Sequence, residues 1–313
     1  MTISLTVPPE LSGTPLRNVI RKLGFPAQQT SLLFKTDGIR VDGEFVYPNQ
    51  PVFTGEVLEL SFPGFRPTLK AAESEFPLPE ILYEDEAYLI FFKPAGVATH
   101  PGRKTAGVLQ DSMETRAHCA GHLVHSVHRL DAETQGILVF ARFPYAQVAL
   151  QKQMAAGTFH KLYEAYVLGT LPARSGLIDA PIERKHRYSY TRIVREDGKP
   201  SLSSYTVLNT FQIDGQTVSH IVLSPLTGRT HQLRVHMHYL GCPILGDVCY
   251  RTPASTLFQE KYCIPTLQLN AFRLSFMHPF LKRTVDIRSR PLSNPFWYDP
   301  ATAFDDFEAR SLW

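Results

Sequence analysis

The chain has 313 residues, 43% of them hydrophobic, and a formal net charge of +3. That composition is ordinary for a globular protein with a proper core, organised as two domains or as one large domain with an appendage. Its mild positive charge permits a polyanionic partner without demanding one, and no run of about 18 apolar residues marks a membrane span.

Four cysteines (Cys119, Cys242, Cys249 and Cys263) form no CxxC pair. In a chain of this length they read as free thiols of a reducing compartment. Residues 1–13 have neither a basic start nor a sustained apolar run, so no secretory leader is expected and the expected location is cytoplasmic.

Taken in chain order, Thr14-Pro15 reads as a helix start, a capping hydroxyl followed by proline at the first helical position. Leu16, Val19, Ile20 and Leu23 then recur at helical spacing until Gly24 and Pro26. An irregular segment follows. Asp42-Gly43 between two short apolar runs predicts a hairpin, and residues 57–60 alternate as a strand. Residues 1–63 thus read as a small module. Residues 64–79 carry three prolines and read as a linker. From residue 80 onward, strands are predicted at 89–92, 137–141, 163–168, 203–208 and 218–223. Helices are predicted at 145–154 and 232–240, the second stopped by Gly241. Strands outnumber helices and rarely alternate with them one for one. The expected class is α+β, a largely antiparallel mixed sheet with flanking helices. The tail after Pro291 mixes aromatics with acids and is expected to pack on the surface.

One segment resists a purely structural reading. In Val127-His128-Arg129-Leu130-Asp131-Ala132-Glu133-Thr134-Gln135-Gly136, a carboxylate sits in a turn, two residues after a cation and just before an apolar run. By local pattern Asp131 is a turn or cap residue; between two core-like segments it is also where a catalytic carboxylate belongs. Two further segments combine ionisable and apolar residues: Lys161-Leu162-Tyr163-Glu164-Ala165, and Gly228-Arg229-Thr230-His231-Gln232-Leu233-Arg234.

These three segments, in this order, resemble the three motifs of the RluA-family RNA pseudouridine synthases. Lys93-Pro94-Ala95-Gly96 and Leu274-Ser275-Phe276-Met277-His278-Pro279 are weaker landmarks that agree. The resemblance spans roughly residues 81–290. It implies a pseudouridine-synthase-like domain over 80–313, preceded by a degenerate S4-like α/β module over 1–63. The implied activity is the isomerisation of uridine in structural RNA, ribosomal RNA favoured over transfer RNA. The family pattern departs at Gln135, where Ser is usual, and at Asn270, where His is common.

The resemblance also assigns roles. Breaking the bond from ribose C1′ to uracil N1 builds positive charge on the sugar, as in a glycosidase, and a carboxylate can stabilise or trap it. Asp131 is that carboxylate, with no cofactor required. It should be ionised, which calls for a neighbouring cation; Arg229 is the candidate, through a charge-assisted pair. Tyr163 would face the uracil, and its hydroxyl could take part in removing the C5 proton, a role needing help from the site because phenol titrates near 10. Leu233 would pack behind it. A stacked uridine must be flipped out, and Arg129 would fill the gap. Lys161, Arg234, Arg103 and Lys104 are candidates for phosphate contact, and His128 and His231 for orienting neighbours, His128 within the RNA-binding segment.

The histidines at 122, 125 and 128, and at 231, 236 and 238, form no HExxH and have no CxxC beside them; no metal is expected. The module at 1–62 holds five Lys/Arg against six Asp/Glu, so it carries no net electrostatic footprint, although Arg17, Arg21 and Lys22 can share one helix face. The expected partner is RNA, ribosomal or transfer, with no membrane, for a monomeric protein. The alternatives are a noncatalytic RNA-binding or ribosome-assembly factor on the same fold, or a metal-dependent hydrolase.

Overall fold

The structure is a computed structural model. It describes residues 2–61 and 77–292, apart from 8, 23, 24, 26, 78, 102–110, 121 and 123. Most of the 64–79 linker, Arg103, Lys104 and the tail after residue 292 therefore lie outside the described residues.

The N-terminal residues form β1 (Thr2–Thr6), β2 (Thr14–Pro15), α1 (Leu16–Lys22), α2 (Ala27–Lys35), β3 (Ile39–Val41), β4 (Glu44–Phe45), β5 (Pro51–Val52) and β6 (Val57–Ser61). The sheet order is β1-β6-β3-β4, and β2 pairs with β5. The predicted hairpin forms at Asp42-Gly43, where both residues take left-handed φ of 49° and 81°, the geometry a two-residue hairpin turn requires. Two expectations are corrected. Thr14 does not cap the helix. Thr14 and Pro15 pair with Val52 and Pro51, and the first helical amides, Leu16 and Arg17, donate to Gln50 O and Pro48 O instead. The segment read as irregular contains α2. Its first half is polar, so no helical apolar period shows there, and packing against α1 supplies what the pattern lacks.

The larger part comprises β7 (Glu80–Glu84), β8 (Tyr88–Lys93), α3 (Met113–Cys119), β9 (His125–Ser126), β10 (Gln135–Ala141), α4 (Pro144–Ala156), β11 (His160–Leu168), β12 (Ser175–Asp179), β13 (Ile182–Arg184), β14 (Arg192–Val194), β15 (Leu202–Ile213), β16 (Gln216–Pro225), α5 (Gln232–Tyr239), α6 (Pro253–Lys261), β17 (Leu269–Met277) and β18 (Thr284–Arg288). Ten of these strands form one sheet, whose path runs β12-β15-β16-β11-β17-β10-β8-β7, with β18 on β17 and β9 on β10. The chain is α+β, as its strand-rich pattern implies. β8 is buried along its length because both sheet faces are covered. Tyr88 and Ile90 join Tyr145, Ala146 and Leu150 of α4 on one side; Leu89 and Phe91 join Met113, Ala117, Leu138 and Phe140 on the other.

Two irregularities shape the centre of this sheet. β10 and β17 run parallel, paired at Gln135 opposite Asn270 and Gly136 opposite Ala271. Gly136 has φ of 116°, and a Cβ there would sit 2.4 Å from Ala271 O and 2.5 Å from Ala271 N; only glycine allows this approach. Across β17, the register with β11 shifts between Leu162 and Tyr163, a bulge of the kind that re-aims a side chain. The two departures from the family pattern, Gln135 and Asn270, are thus register partners.

Candidate active site

The turn bearing Asp131 is held from several directions. Thr134 N donates to Asp131 O at 3.1 Å and Gly96 N to Ala132 O at 2.9 Å. The Thr99 hydroxyl donates to Leu130 O and accepts from Leu130 N. Lys93, fully buried, donates to Pro94 O, Val97 O and Ala132 O at 2.9, 2.6 and 2.8 Å. Burial pushes this lysine down to about 7, while Glu133 and Asp131 pull it upward. The sequence landmark at residues 93–96 is therefore the clamp beneath the Asp131 turn.

Asp131 opens onto a pocket of about 120 Å³, whose lining includes Arg129, Thr134, Lys161, Tyr163, Arg229, His231, Leu233, Arg234 and Leu269. The three sequence motifs thus meet in one place. Tyr163 comes from β11 just after the bulge, and Leu233 from α5; both belong to one apolar cluster. Tyr163 is buried. That burial, and then the neighbouring Asp131 charge, raise its pKa. The environment expected to help the phenol act as a base does the opposite and keeps the hydroxyl protonated.

The cation beside Asp131 differs from the one anticipated. Arg234 Nη1 lies 3.8 Å from Asp131 Oδ2 and 3.3 Å from Glu133 Oε2. Its other edge grips Asp247 through two bonds, Nε to Oδ2 at 2.7 Å and Nη2 to Oδ1 at 2.8 Å. Burial opposes charge on both partners, yet the pair prevails: Asp247 stays below its ordinary value and Arg234 above. At 1% exposure, Arg234 is no phosphate contact. Arg229 is exposed, and its Nε donates to Pro200 O at 3.1 Å; among the described residues it makes no ion pair with Asp131.

The loop that carries Arg229 is tied by Gln232. Its Oε1 accepts from the Thr227 hydroxyl and Arg229 N, and its Nε2 donates to Leu202 O and the Ser203 hydroxyl. His231, at φ of 58°, puts Nε2 4.0 Å from Asp131 Oδ2 and Nδ1 2.8 Å from Tyr250 Oη. That hydroxyl accepts from Arg192 N at 2.7 Å, which leaves its proton for His231 Nδ1. Burial lowers the His231 pKa, so the ring is neutral and its Nε2–H faces the carboxylate.

The remaining candidates divide by exposure. Arg129 is exposed at the pocket edge and Lys161 half-buried in its wall, with burial lowering the lysine's pKa. His128 is buried, and its Nε2 accepts from Val139 N at 3.2 Å. Burial, with Lys161 nearby, pushes it down to about 3. It is an internal hydrogen-bond acceptor and not an RNA contact. The sequence assigns Thr134, inside the first motif, no role of its own, and nothing in it singles out Asp247 or Leu269. Asp247 is a single acid 13 positions after its arginine, a separation that signals nothing locally. Among the described residues no group of His, Cys, Asp or Glu is arranged to hold a metal ion, and no helix is long and apolar enough to cross a membrane.

A carboxylate and an aromatic wall in a pocket rimmed by cations suit work on a base carried by an anionic backbone. Comparison with known proteins agrees. Residues 87–239 match the family model described as RNA pseudouridylate synthase. The ribosomal large subunit pseudouridine synthase D of Xanthomonas campestris pv. campestris is 34% identical over 286 residues, covering 87% of this chain and 84% of that protein. The chain belongs to the RluA family of RNA pseudouridine synthases.

The dual-specificity RNA pseudouridine synthase RluA of Vibrio vulnificus is 39% identical over 206 residues, 65% of this chain and 79% of its own length. The solved structure of human RNA pseudouridylate synthase domain containing 1 aligns with a TM-score of 0.59 over 74% of this chain and 95% of that one. At 23% identity, that likeness speaks for the fold alone. Every pocket residue of the synthase except Leu269 lies inside the segment matched by the family model.

Proposed function

We propose that this RluA-family synthase isomerises specific uridines of ribosomal RNA, in preference to transfer RNA, with Asp131 as the essential carboxylate and no cofactor. The observation that carries the assignment of Asp131 is its meeting with Tyr163 in the one pocket that the three motifs share. Cleavage of the C1′–N1 bond leaves positive charge on the ribose, which an ionised Asp131 stabilises or captures. Arg234, fixed by Asp247, and the His231 Nε2–H hold the carboxylate oriented. Tyr163 offers its ring to the uracil while the base turns and rejoins through C5, whose proton then leaves to water as N1 takes one up. Arg129, exposed at the pocket edge, occupies the space that the flipped base vacates. Lys161 and Arg229 supply cations for adjacent phosphates.

The preference for ribosomal RNA is supported by extent. The relative named for the ribosomal large subunit matches 87% of this chain, the dual-specificity relative 65%. Such a substrate puts the enzyme in the cytoplasm. Residues 1–63 we read as an S4-like RNA-binding module, supported by Arg17, Arg21 and Lys35 lining one pocket of about 260 Å³.

Asp131→Asn should release no tritium from RNA labelled at uridine C5 and should bind that RNA as the wild type does. Full release by the variant sinks the assignment. Pseudouridine mapping of total RNA with and without the gene names the substrate. A lost site in ribosomal RNA is expected, and a loss confined to transfer RNA reverses the stated preference.

A further inference from the structure

We propose that Glu164 is a positioning residue for Tyr163: with Asn270 and His220 it forms a buried polar lock behind the sheet that fixes the register of β11 and so aims the Tyr163 ring at the uracil. The inference rests on the RNA isomerase reading and adds three residues that do not line the pocket.

The first argument is place. Glu164 follows Tyr163 on β11, so its side chain leaves the opposite face of the sheet. It is wholly buried, as are His220 of β16 and Asn270 of β17. Glu164 Oε1 lies 3.0 Å from His220 Nε2, and Oε2 accepts from Leu292 N at 2.9 Å and from Asn270 Nδ2 at 3.4 Å. Asn270 Nδ2 also donates to Arg290 O at 2.9 Å. Glu164 thus joins its own strand to both neighbours and to the segment that returns after β18.

The second argument is register. Leu162 stands opposite Arg273, but Tyr163 stands opposite Ala271 and Glu164 opposite Asn270. Phe272 is the residue passed over, and its carbonyl accepts from Ser289 N at 2.8 Å. Without the bulge, Tyr163 would face Phe272 and Glu164 would face Ala271. That slip would part Glu164 from Asn270 and re-aim Tyr163.

The third argument is the link to Asp131. Asn270 is also the register partner of Gln135, and a Cβ on Gly136 would fall 2.7 Å from Asn270 Oδ1. One amide therefore meets the strand that bears Tyr163 on one side and the strand that follows the Asp131 turn on the other. A carboxyl, an imidazole and an amide sealed from water cost more than apolar residues of the same volume would. What such a network supplies is a single arrangement, here the placing of the aromatic ring against the carboxylate.

The test uses the full chain with its tyrosines replaced biosynthetically by 3-fluorotyrosine, the Tyr163 fluorine line being identified by its absence from Tyr163→Phe. Tritium release and filter binding are measured in parallel on C5-labelled ribosomal RNA from cells lacking this gene. The wild type should show one sharp Tyr163 line. Glu164→Ala and Asn270→Leu should split or broaden it, the mark of a ring held in more than one place. Both should lower kcat about 10-fold or more while KM and Kd stay within about twofold. Glu164→Gln should keep one line and a kcat within about threefold, because its side chain still accepts from Leu292 N and His220, in its other tautomer, accepts from the new amide. Each variant is measured well below its melting temperature, where lost stability alone leaves kcat and the line unchanged. A single sharp line or a wild-type kcat in Glu164→Ala and Asn270→Leu overturns the proposal, and so does failure of both to fold. Absence of tritium release from the wild type overturns the isomerase reading instead, and the fluorine line still decides whether Glu164 fixes Tyr163.

Discussion

Arg234 approaches Asp131 at 3.8 Å from the grip of Asp247, whose two oxygens hold its opposite edge at 2.7 and 2.8 Å. The fork of a guanidinium is what allows one side chain to serve both carboxylates; an ammonium is a point charge and cannot. Arg234→Lys should lower kcat for tritium release roughly 100-fold, the scale of losing one preorganised electrostatic contact. It should also destabilise the fold by about 3 kcal/mol, because Asp247 is left buried with an ill-matched partner. Saturating-RNA kinetics and urea denaturation read the two effects, and a wild-type kcat contradicts the positioning role.

Arg229 makes the contrast. It is exposed and bonded to a backbone carbonyl, so Arg229→Ala should keep kcat within about threefold and act mainly through KM, the signature of a rim charge. A loss of kcat equal to that of Arg234→Lys would return Arg229 to the catalytic centre.

Gly136→Ala should destabilise the protein by about 3 kcal/mol. The added Cβ meets Ala271 backbone atoms at 2.4 and 2.5 Å, and the residue must also hold φ of 116°. Relief requires β10 to part from β17, and the Asp131 turn lies just before β10, so kcat should fall as well. Calorimetry showing an unchanged melting temperature would contradict the close approach.

His128 predicts an acid limb. Its folded pKa, about 3, lies below the ordinary value of 6.5, so between these two pH values the unfolded chain binds a proton that the folded chain refuses. Stability from this group therefore rises with pH across that window, is fully present above about 6.5, and is lost progressively toward 3. His128→Gln should flatten the dependence between pH 4 and 6.5 in urea titrations. An equally steep limb in the variant would assign it to other groups.

Legibility followed the range of the cause. The hairpin at Asp42-Gly43, the buried strand within β8 and the end of α5 at Gly241 were readable because each depends on neighbours a few residues away. α2 was not, because its polar first half gains its helical state from α1. Thr14 misled for the same kind of reason: its capping role was taken over by carbonyls of residues 48 and 50, which no local pattern announces. Within the site, Asp131, Tyr163, Leu233 and Arg129 were named through the family resemblance, and all four line the one pocket. Tyr163 kept its location but lost the help that its hydroxyl was expected to receive, since burial and Asp131 both hold the phenol protonated.

What the sequence by itself determined is which chemical groups the synthase brings and in what order, because residue type and short spacing encode that directly. Only the tertiary structure decided which cation meets Asp131. Arg229 and Arg234 are five positions apart on one segment, and burial turned one outward to Pro200 O and the other inward to Asp247. It also set Gln135 opposite Asn270 where two parallel strands touch. Each of these depends on segments tens of residues apart meeting in a packed core, where desolvation and fit select the partner and sequence spacing carries no information about it.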